Sequence, residues 1–177
     1  MSGKTLVLGI GNNLLGDEGI GIHVIQHLHA IAADSSNLHD KFQLVDGGTL
    51  SFTLAGIIED SARLIVIDAP RLDAPPGTVR VFEGEDMDHF LGNGKRSSVH
   101  EVSLLDLMAV VALNGHLPER RALIGIQPEH IDWSDRLSPS LEQAVPVVCE
   151  HVMGLADRWS NLSPLPEVSR VQLTTGV

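Results

Sequence analysis

Short apolar runs alternate along the chain with segments in which apolar residues recur every three or four positions. The runs lie at residues 5–9, 42–45, 64–67 and 123–126, and the first is followed by Ile20, Val24, Leu28 and Ile31 at helical spacing. Continuous runs of Val, Ile and Leu are typical of parallel strands that are buried on both faces. The pattern therefore predicts a single three-layer α/β domain, with helices on both faces of a twisted, mostly parallel sheet of about five strands.

The remaining segments predict how this sheet is completed. Residues 78–82 alternate apolar and polar after Pro75-Pro76-Gly77, with no crossover helix before them, which predicts an antiparallel strand near an edge. Ser98-Val99-His100-Glu101 and Ser140-Leu141-Glu142-Gln143 match capping boxes and predict two helix starts. We expect Asn114-Gly115 to end the first of these helices.

Five apolar residues should form the buried face of the last helix. Pro146 must either kink this helix or make it start late. The inner-face residues are Val145, Val148, Val152, Leu155 and Trp159. Beyond Trp159 the sequence is polar, contains two prolines and shows no period. We therefore assign residues 1–159 to the domain and residues 160–177 to a C-terminal tail.

Charge and cysteine content narrow the classes of partner. Twelve basic against 23 acidic side chains give a net charge of −11, which argues against a nucleic-acid partner. No apolar stretch reaches the roughly 20 residues needed to span a bilayer. Cys149 is the one cysteine, lies in an apolar helical pattern and is expected to be a buried thiol. We expect a cytoplasmic monomer that does not insert into membranes.

A glycine-rich segment with two carboxylates follows the first predicted strand. It reads Gly9-Ile10-Gly11 and then Gly16-Asp17-Glu18-Gly19. Gly16 comes two residues too late for a dinucleotide-binding G-x-G-x-x-G motif, and the carboxylates would repel a pyrophosphate. A nucleotide-using enzyme is therefore a weak alternative. Asp17 is a candidate helix cap and Glu18 a candidate exposed ligand.

Carboxylates follow the other predicted strands as well. Asp46 follows the second strand, Asp68 the third, and Glu129 the strand at 123–126. The carboxyl ends of parallel strands lie at one edge of a sheet, so we expect these groups to share a crevice. Such crowding of negative charge is unfavourable unless a cation or a shared proton offsets it.

His100 adds a nitrogen donor to this set. At the second position of its predicted helix, the positive end of the helix dipole disfavours imidazolium and keeps the ring neutral. Glu18, Asp68 and His100 would then form an O, O, N set with open coordination positions, suited to a borderline divalent ion but not diagnostic of one.

Other catalytic schemes find little support. His23 and His27 lie four residues apart, but Val24 stands where a zinc-protease motif requires glutamate. We interpret His23, His27, His29, His39 and His116 as solvated or packing residues. There is no Gly-x-Ser-x-Gly elbow, and the lone cysteine is expected to be buried, so serine and cysteine nucleophiles are disfavoured.

These motifs together resemble the [NiFe]-hydrogenase maturation endopeptidases, which remove a C-terminal extension from the hydrogenase large-subunit precursor. The resemblance runs from Leu6 to about Leu155 and rests on the glycine-rich segment, Asp46-Gly47-Gly48-Thr49, Asp68-Ala69 and a helix that His100 opens. It implies that Glu18, Asp68 and His100 contact nickel, and that Asp46 borders the site in a supporting or catalytic role.

In that family the nickel belongs to the substrate, so the resemblance implies that this protein needs no resident metal. Another divalent ion could occupy the same ligands. Nickel could act as the chemical catalyst or only as an anchor, and the general base stays open. The alternative from another class is a non-enzymatic metal-binding chaperone that docks on the precursor.

Overall fold

The computed structural model describes residues 4–33, 36–93 and 99–162. Within them, a five-stranded sheet lies between two layers of helices, which confirms the predicted three-layer α/β architecture. The strands are β1 (Thr5–Ile10), β2 (Phe42–Gly48), β3 (Arg63–Asp68), β4 (Val79–Glu83) and β5 (Arg120–Ile126). The helices are α1 (Ile20–Ala33), α2 (Ser36–Lys41), α3 (Ala55–Glu59), α4 (Glu85–Asn93), α5 (Val99–Leu113) and α6 (Pro139–Asn161). Short 3-10 helices lie at Gly16–Gly19 and Phe52–Leu54.

The strand order creates a crevice between two particular strands. The order is β2-β1-β3-β5-β4, and β4 is the antiparallel edge strand, as predicted. β1 pairs in parallel with both β2 and β3. The chain therefore leaves β1 toward one side of the sheet and returns to its other side at β3. Ligands of open α/β sheets bind at such a reversal, outside the carboxyl ends of the strands. We call the end of the sheet at which the parallel strands terminate the carboxyl edge.

Each face of the sheet packs against its own helices. On one face, Val7, Ile65 and Ile67 pack against α1 and α6. On the other face, Leu64 and Val66 pack against α3, α4 and α5. The alternation along β3 follows from the two-residue period of a strand. All five predicted inner-face residues of α6 are buried, as is Cys149. No described helix is both long and apolar enough to cross a membrane.

The helix ends differ in part from the predictions. α6 begins at Pro139 with Ser138 as its N-cap, so the prediction of Ser140 as the cap was wrong. Proline suits a first helical turn because it lacks the N–H that would have no partner there. Pro146 lies inside α6, which does not start late. Gly115, with φ +74°, follows the end of α5 as predicted, while the predicted cap Ser98 lies outside the described residues.

The start of α1 touches the backbone of two strands. A Cβ placed at Gly21 would lie 2.4 Å from the carbonyl oxygen of Ile10 and 2.6 Å from that of Ile67. A Cβ at Gly9 would lie 2.3 Å from the carbonyl oxygen of Gly21. Helix and sheet therefore meet backbone to backbone, which only paired glycines permit. This contact fixes the entry of α1 over the gap between β1 and β3.

Asp17 holds the carboxyl edge together from the inside. It is buried, and its Oδ2 accepts hydrogen bonds from Glu129 N at 2.9 Å and His130 N at 3.3 Å. Ser138 donates from N to Oδ1 at 2.7 Å and from Oγ to Oδ2 at 2.9 Å. The prediction of Asp17 as a helix cap was wrong, because its oxygens bind donors of the β5–α6 loop. We call this set of bonds the Asp17 clamp.

We expect Gly21→Ala to lower the free energy of unfolding by about 1–3 kcal/mol, because the added methyl group has no room. Gly154→Ala, in an exposed part of α6 where a Cβ meets nothing within 4 Å, is the matched control. It should raise that free energy by about 0.5–1 kcal/mol through helix propensity. Urea denaturation measures both values, and equal effects of the two substitutions would contradict the close contact.

We expect Asp17→Ala to destabilise the fold by about 3 kcal/mol, because it leaves several buried N–H and O–H donors without a partner. Asp132→Ala alters an exposed carboxylate of the same loop and should change stability by less than about 0.5 kcal/mol. Urea denaturation compares the two variants. An Asp17→Ala protein as stable as the Asp132→Ala protein would show that the clamp contributes little.

Candidate active site

Glu18 lies where the ends of β1 and β2 meet. It belongs to the 3-10 helix Gly16–Gly19 and is half-buried. A Cβ at Gly11 would lie 1.8 Å from the carbonyl oxygen of Glu18, and Gly11 has φ +140°. A residue with a Cβ would clash with this oxygen and would be strained at this φ, so only glycine fits here. Gly11 N also donates to the carbonyl oxygen of Gly48 at 2.9 Å, so the backbone of Glu18 is held directly above the strand ends.

Asp68 is the last residue of β3, the strand beside β1. Its side chain is buried, and its Oδ1 accepts a hydrogen bond from Ala69 N at 2.8 Å. It continues the alternation of Leu64 and Val66, which face α5. Asp68 and the Glu18 segment thus flank the β1/β3 reversal, with the start of α1 between them and close to Ile10 and Ile67.

His100 is the second residue of α5, as expected. Its side chain lies outside the described part of the structure. The direction of the helix is clear from its other end, where Asn114 Nδ2 donates to Glu59 Oε1 at 2.6 Å, just ahead of β3. α5 therefore starts at the carboxyl edge, on the sheet face toward which Asp68 points.

Asp46 is exposed and belongs to the neighbouring edge strand. It pairs with Gly9, and its Oδ1 accepts a hydrogen bond from Gly48 N at 2.9 Å. Leu44, two residues earlier, packs on the face covered by α1, so alternation assigns Asp46 to that face. Asp46 and Asp68 thus reach the carboxyl edge from opposite faces of the sheet.

The loop after β5 has a structural task. Gln127 Oε1 accepts from Leu72 N at 2.7 Å, and Glu129 Oε2 accepts from Ser140 Oγ at 2.7 Å. Together with the Asp17 clamp, these bonds fasten the loop to its neighbours. Sequence reasoning missed this task of Asp17, because its partners lie 112 to 121 residues away and leave no local signal.

The described side chains include no group of three His, Cys, Asp or Glu residues placed to hold a metal ion. A set made of Glu18, Asp68 and His100 falls outside that search, because the His100 side chain is not described. The donor chemistry of the set, two carboxylates and an imidazole, fits a borderline divalent ion. That these three residues form one metal site stays a prediction.

The other candidate groups contribute little to catalysis. Burial raises the pKa of the Cys149 thiol to about 11, so it stays protonated at neutral pH and is a poor nucleophile. His27, His29, His39 and His116 are exposed, so of the two predicted roles, solvated or packing, these four residues take the first. His23 is half-buried, and its Nε2 has no hydrogen-bond partner among the described residues.

Comparison with known proteins shows the family. The family model of hydrogenase maturation proteases (HycI) matches residues 22–155, a span that includes Asp46, Asp68 and His100 and begins after Glu18. The hydrogenase expression/formation protein HupD of Rhizobium leguminosarum bv. viciae is 33% identical over 157 residues, covering 88% of this chain and 75% of the relative. The hydrogenase 2 maturation protease of Escherichia coli (strain K12) is 30% identical over 165 residues, covering 92% and 96%.

Solved structures agree with this result. The hydrogenase maturating endopeptidase HybD from E. coli superimposes with a TM-score of 0.77 at 29% identity, covering 89% of this chain and 94% of that one. The [NiFe] hydrogenase maturation protease HybD from Thermococcus kodakarensis superimposes with a TM-score of 0.70 at 28% identity, covering 86% and 99%. The chain belongs to the hydrogenase maturation protease family, whose members are endopeptidases.

Proposed function

We propose that this protein is the endopeptidase that removes the C-terminal extension of a nickel-loaded [NiFe]-hydrogenase large-subunit precursor, and that it recognises the nickel carried by that substrate. Family membership supports the peptidase activity and the class of substrate. The observation that carries the nickel proposal is the β1/β3 reversal, where the Glu18 segment, Asp68 and the start of α5 meet at one edge.

The donor set suits a shared metal better than a resident one. Three ligands, two of them carboxylates, give a free enzyme only weak affinity for nickel, whereas thiolates of the precursor would hold the ion tightly. Glu18, Asp68 and His100 would complete the coordination of an ion that arrives with the substrate. Binding then requires both the precursor and its metal, which excludes unloaded precursor and generic peptides.

Positioning is the main catalytic contribution that we assign to these residues. Ligands fixed at the carboxyl edge would hold the metal-bearing segment still, so that the scissile peptide lies within reach of a water molecule. The ion would also polarise a carbonyl oxygen or that water. Asp46 is our candidate for the base, because its exposed carboxylate can accept the proton of the attacking water. That proton then passes to the leaving amine as the peptide bond breaks.

The cellular setting follows from the same scheme. We propose that the protein acts as a monomer in the cytoplasm, where the large-subunit precursor receives its metal. The net charge of −11 is consistent with a protein partner and disfavours nucleic acid. No step in the scheme requires insertion into a membrane.

We expect Glu18→Gln and His100→Ala to remain folded and to lose precursor cleavage by at least about 100-fold, because a misplaced reacting segment loses rate of that order. His116→Ala is the matched control, since this exposed histidine follows the opposite end of α5. Circular dichroism checks folding, and the mass of the large subunit reports cleavage. A folded His100→Ala protein with the normal rate would remove His100 from the mechanism.

We expect cleavage of nickel-loaded precursor and none of precursor prepared without nickel, because the ion supplies the recognised group. The enzyme is incubated with each form, and mass spectrometry detects the shorter large subunit. Equal cleavage of both forms would show that the metal is not recognised. Stable binding of the loaded precursor without shortening would instead support the chaperone alternative.

A further inference from the structure

Three large apolar side chains stand in solvent on two adjacent loops of the carboxyl edge, those after β1 and β5. Leu14 is 58% exposed, Ile131 45% and Trp133 82%. Leu14 comes from the loop after β1, and the other two come from the loop after β5. We call these three residues the apolar rim. Single exposed apolar residues are ordinary on protein surfaces, but a tryptophan left this open beside two aliphatic residues is unusual.

The rim is held in place by the backbone beneath it. Ser134 N donates to the carbonyl oxygen of Leu14 at 3.0 Å, and Gly16 N donates to that of Ser134 at 2.8 Å. The Asp17 clamp holds His130 N, next to Ile131. The two loops therefore form one fastened unit. Apolar side chains on a fixed backbone bind a partner with little further loss of conformational entropy.

The rim is also continuous with the candidate active site. Gly16, which bonds to the loop that carries Trp133, begins the 3-10 helix that contains Glu18. Asp17, which fastens the same loop, is the residue before Glu18. A protein that presents its scissile segment to Glu18 would thus cover the rim with the surface next to that segment.

Charge indicates what kind of surface fits. The loop that carries Trp133 also carries the exposed acids Glu129, Asp132 and Asp135, against Arg136 as its one arginine or lysine. Like charges across an interface are strongly unfavourable, so a partner should place basic side chains around its apolar centre. Trp is among the residues that most often dominate binding at interfaces.

We propose that the apolar rim is a docking site for the folded body of the precursor, at an apolar patch bordered by Lys or Arg beside the segment that is cut. This inference rests on the proposed function and extends it. Metal recognition then selects loaded precursor, and the rim supplies affinity that an isolated C-terminal peptide lacks. The rim acts on substrate binding and leaves the chemical step unchanged.

The test compares full-length wild type with Trp133→Ala and Leu14→Ser on nickel-loaded precursor. We expect KM for Trp133→Ala to rise at least about tenfold, the effect of truncating an aromatic anchor, while kcat stays within about twofold. Leu14→Ser should change KM in the same direction. Leu113→Ser is the matched control, because Leu113 is 87% exposed at the opposite end of α5 and should leave KM unchanged.

Unchanged KM for Trp133→Ala, with an active wild type, would overturn the rim proposal and leave the proposed function standing. A wild type that does not shorten loaded precursor would overturn both. A rise in KM equal to that of Leu113→Ser would also overturn the rim proposal, because the effect would then not be local.

Acrylamide quenching tests whether the rim is open before the substrate arrives. The chain has two tryptophans, and Trp159 is 4% exposed. Free wild type should show one readily quenched component, which Trp133→Ala removes. If wild type lacks that component, the chain's own tail or a second copy already covers Trp133, and the docking proposal is wrong.

Discussion

The backbone contact between α1 and β1 is the constraint on which the carboxyl edge depends. Gly9 and Gly21 approach so closely that neither can carry a side chain, and Gly21 also touches Ile67 on the next strand. Because of this contact, the segment between β1 and α1 passes over the carboxyl edge before α1 begins against β1 and β3. The path of the backbone therefore brings Glu18 to the carboxyl edge.

Asp17 and Glu18 are adjacent carboxylates with different roles. Asp17 turns inward, where N–H and O–H donors of a distant loop surround it. Glu18 stays half-buried at the ends of β1 and β2, where its backbone lies against Gly11. The first acid fastens the loop after β5, and the second is the one to which we assign ligand chemistry. A ligating side chain is positioned best when its backbone is fixed, and the Asp17 clamp fixes the backbone next to Glu18.

The hydrophobic pattern was sufficient for the architecture because strand and helix periods are local properties of the sequence. It gave the five strands, the antiparallel β4 and the buried face of α6. The strand-end rule also brought Asp68 and the Glu18 segment to one edge. The task of Asp17 and the true cap of α6 depend on contacts between distant residues, so no local pattern could reveal them. The placement of Asp46 on the other face required the observed packing of Leu44.

The Asp17 clamp also bears on when the carboxyl edge can form. Its bonds to Ser138 join residues 121 positions apart in the chain. During synthesis, Asp17 leaves the ribosome long before the donors that it needs, and contacts of such high sequence separation form late in folding. The edge that carries Glu18 is therefore completed only after β5 and the start of α6 have been made. A nascent chain that has not yet reached Ser138 would lack the finished carboxyl edge. Peptidase activity would therefore appear only once the whole domain has been made.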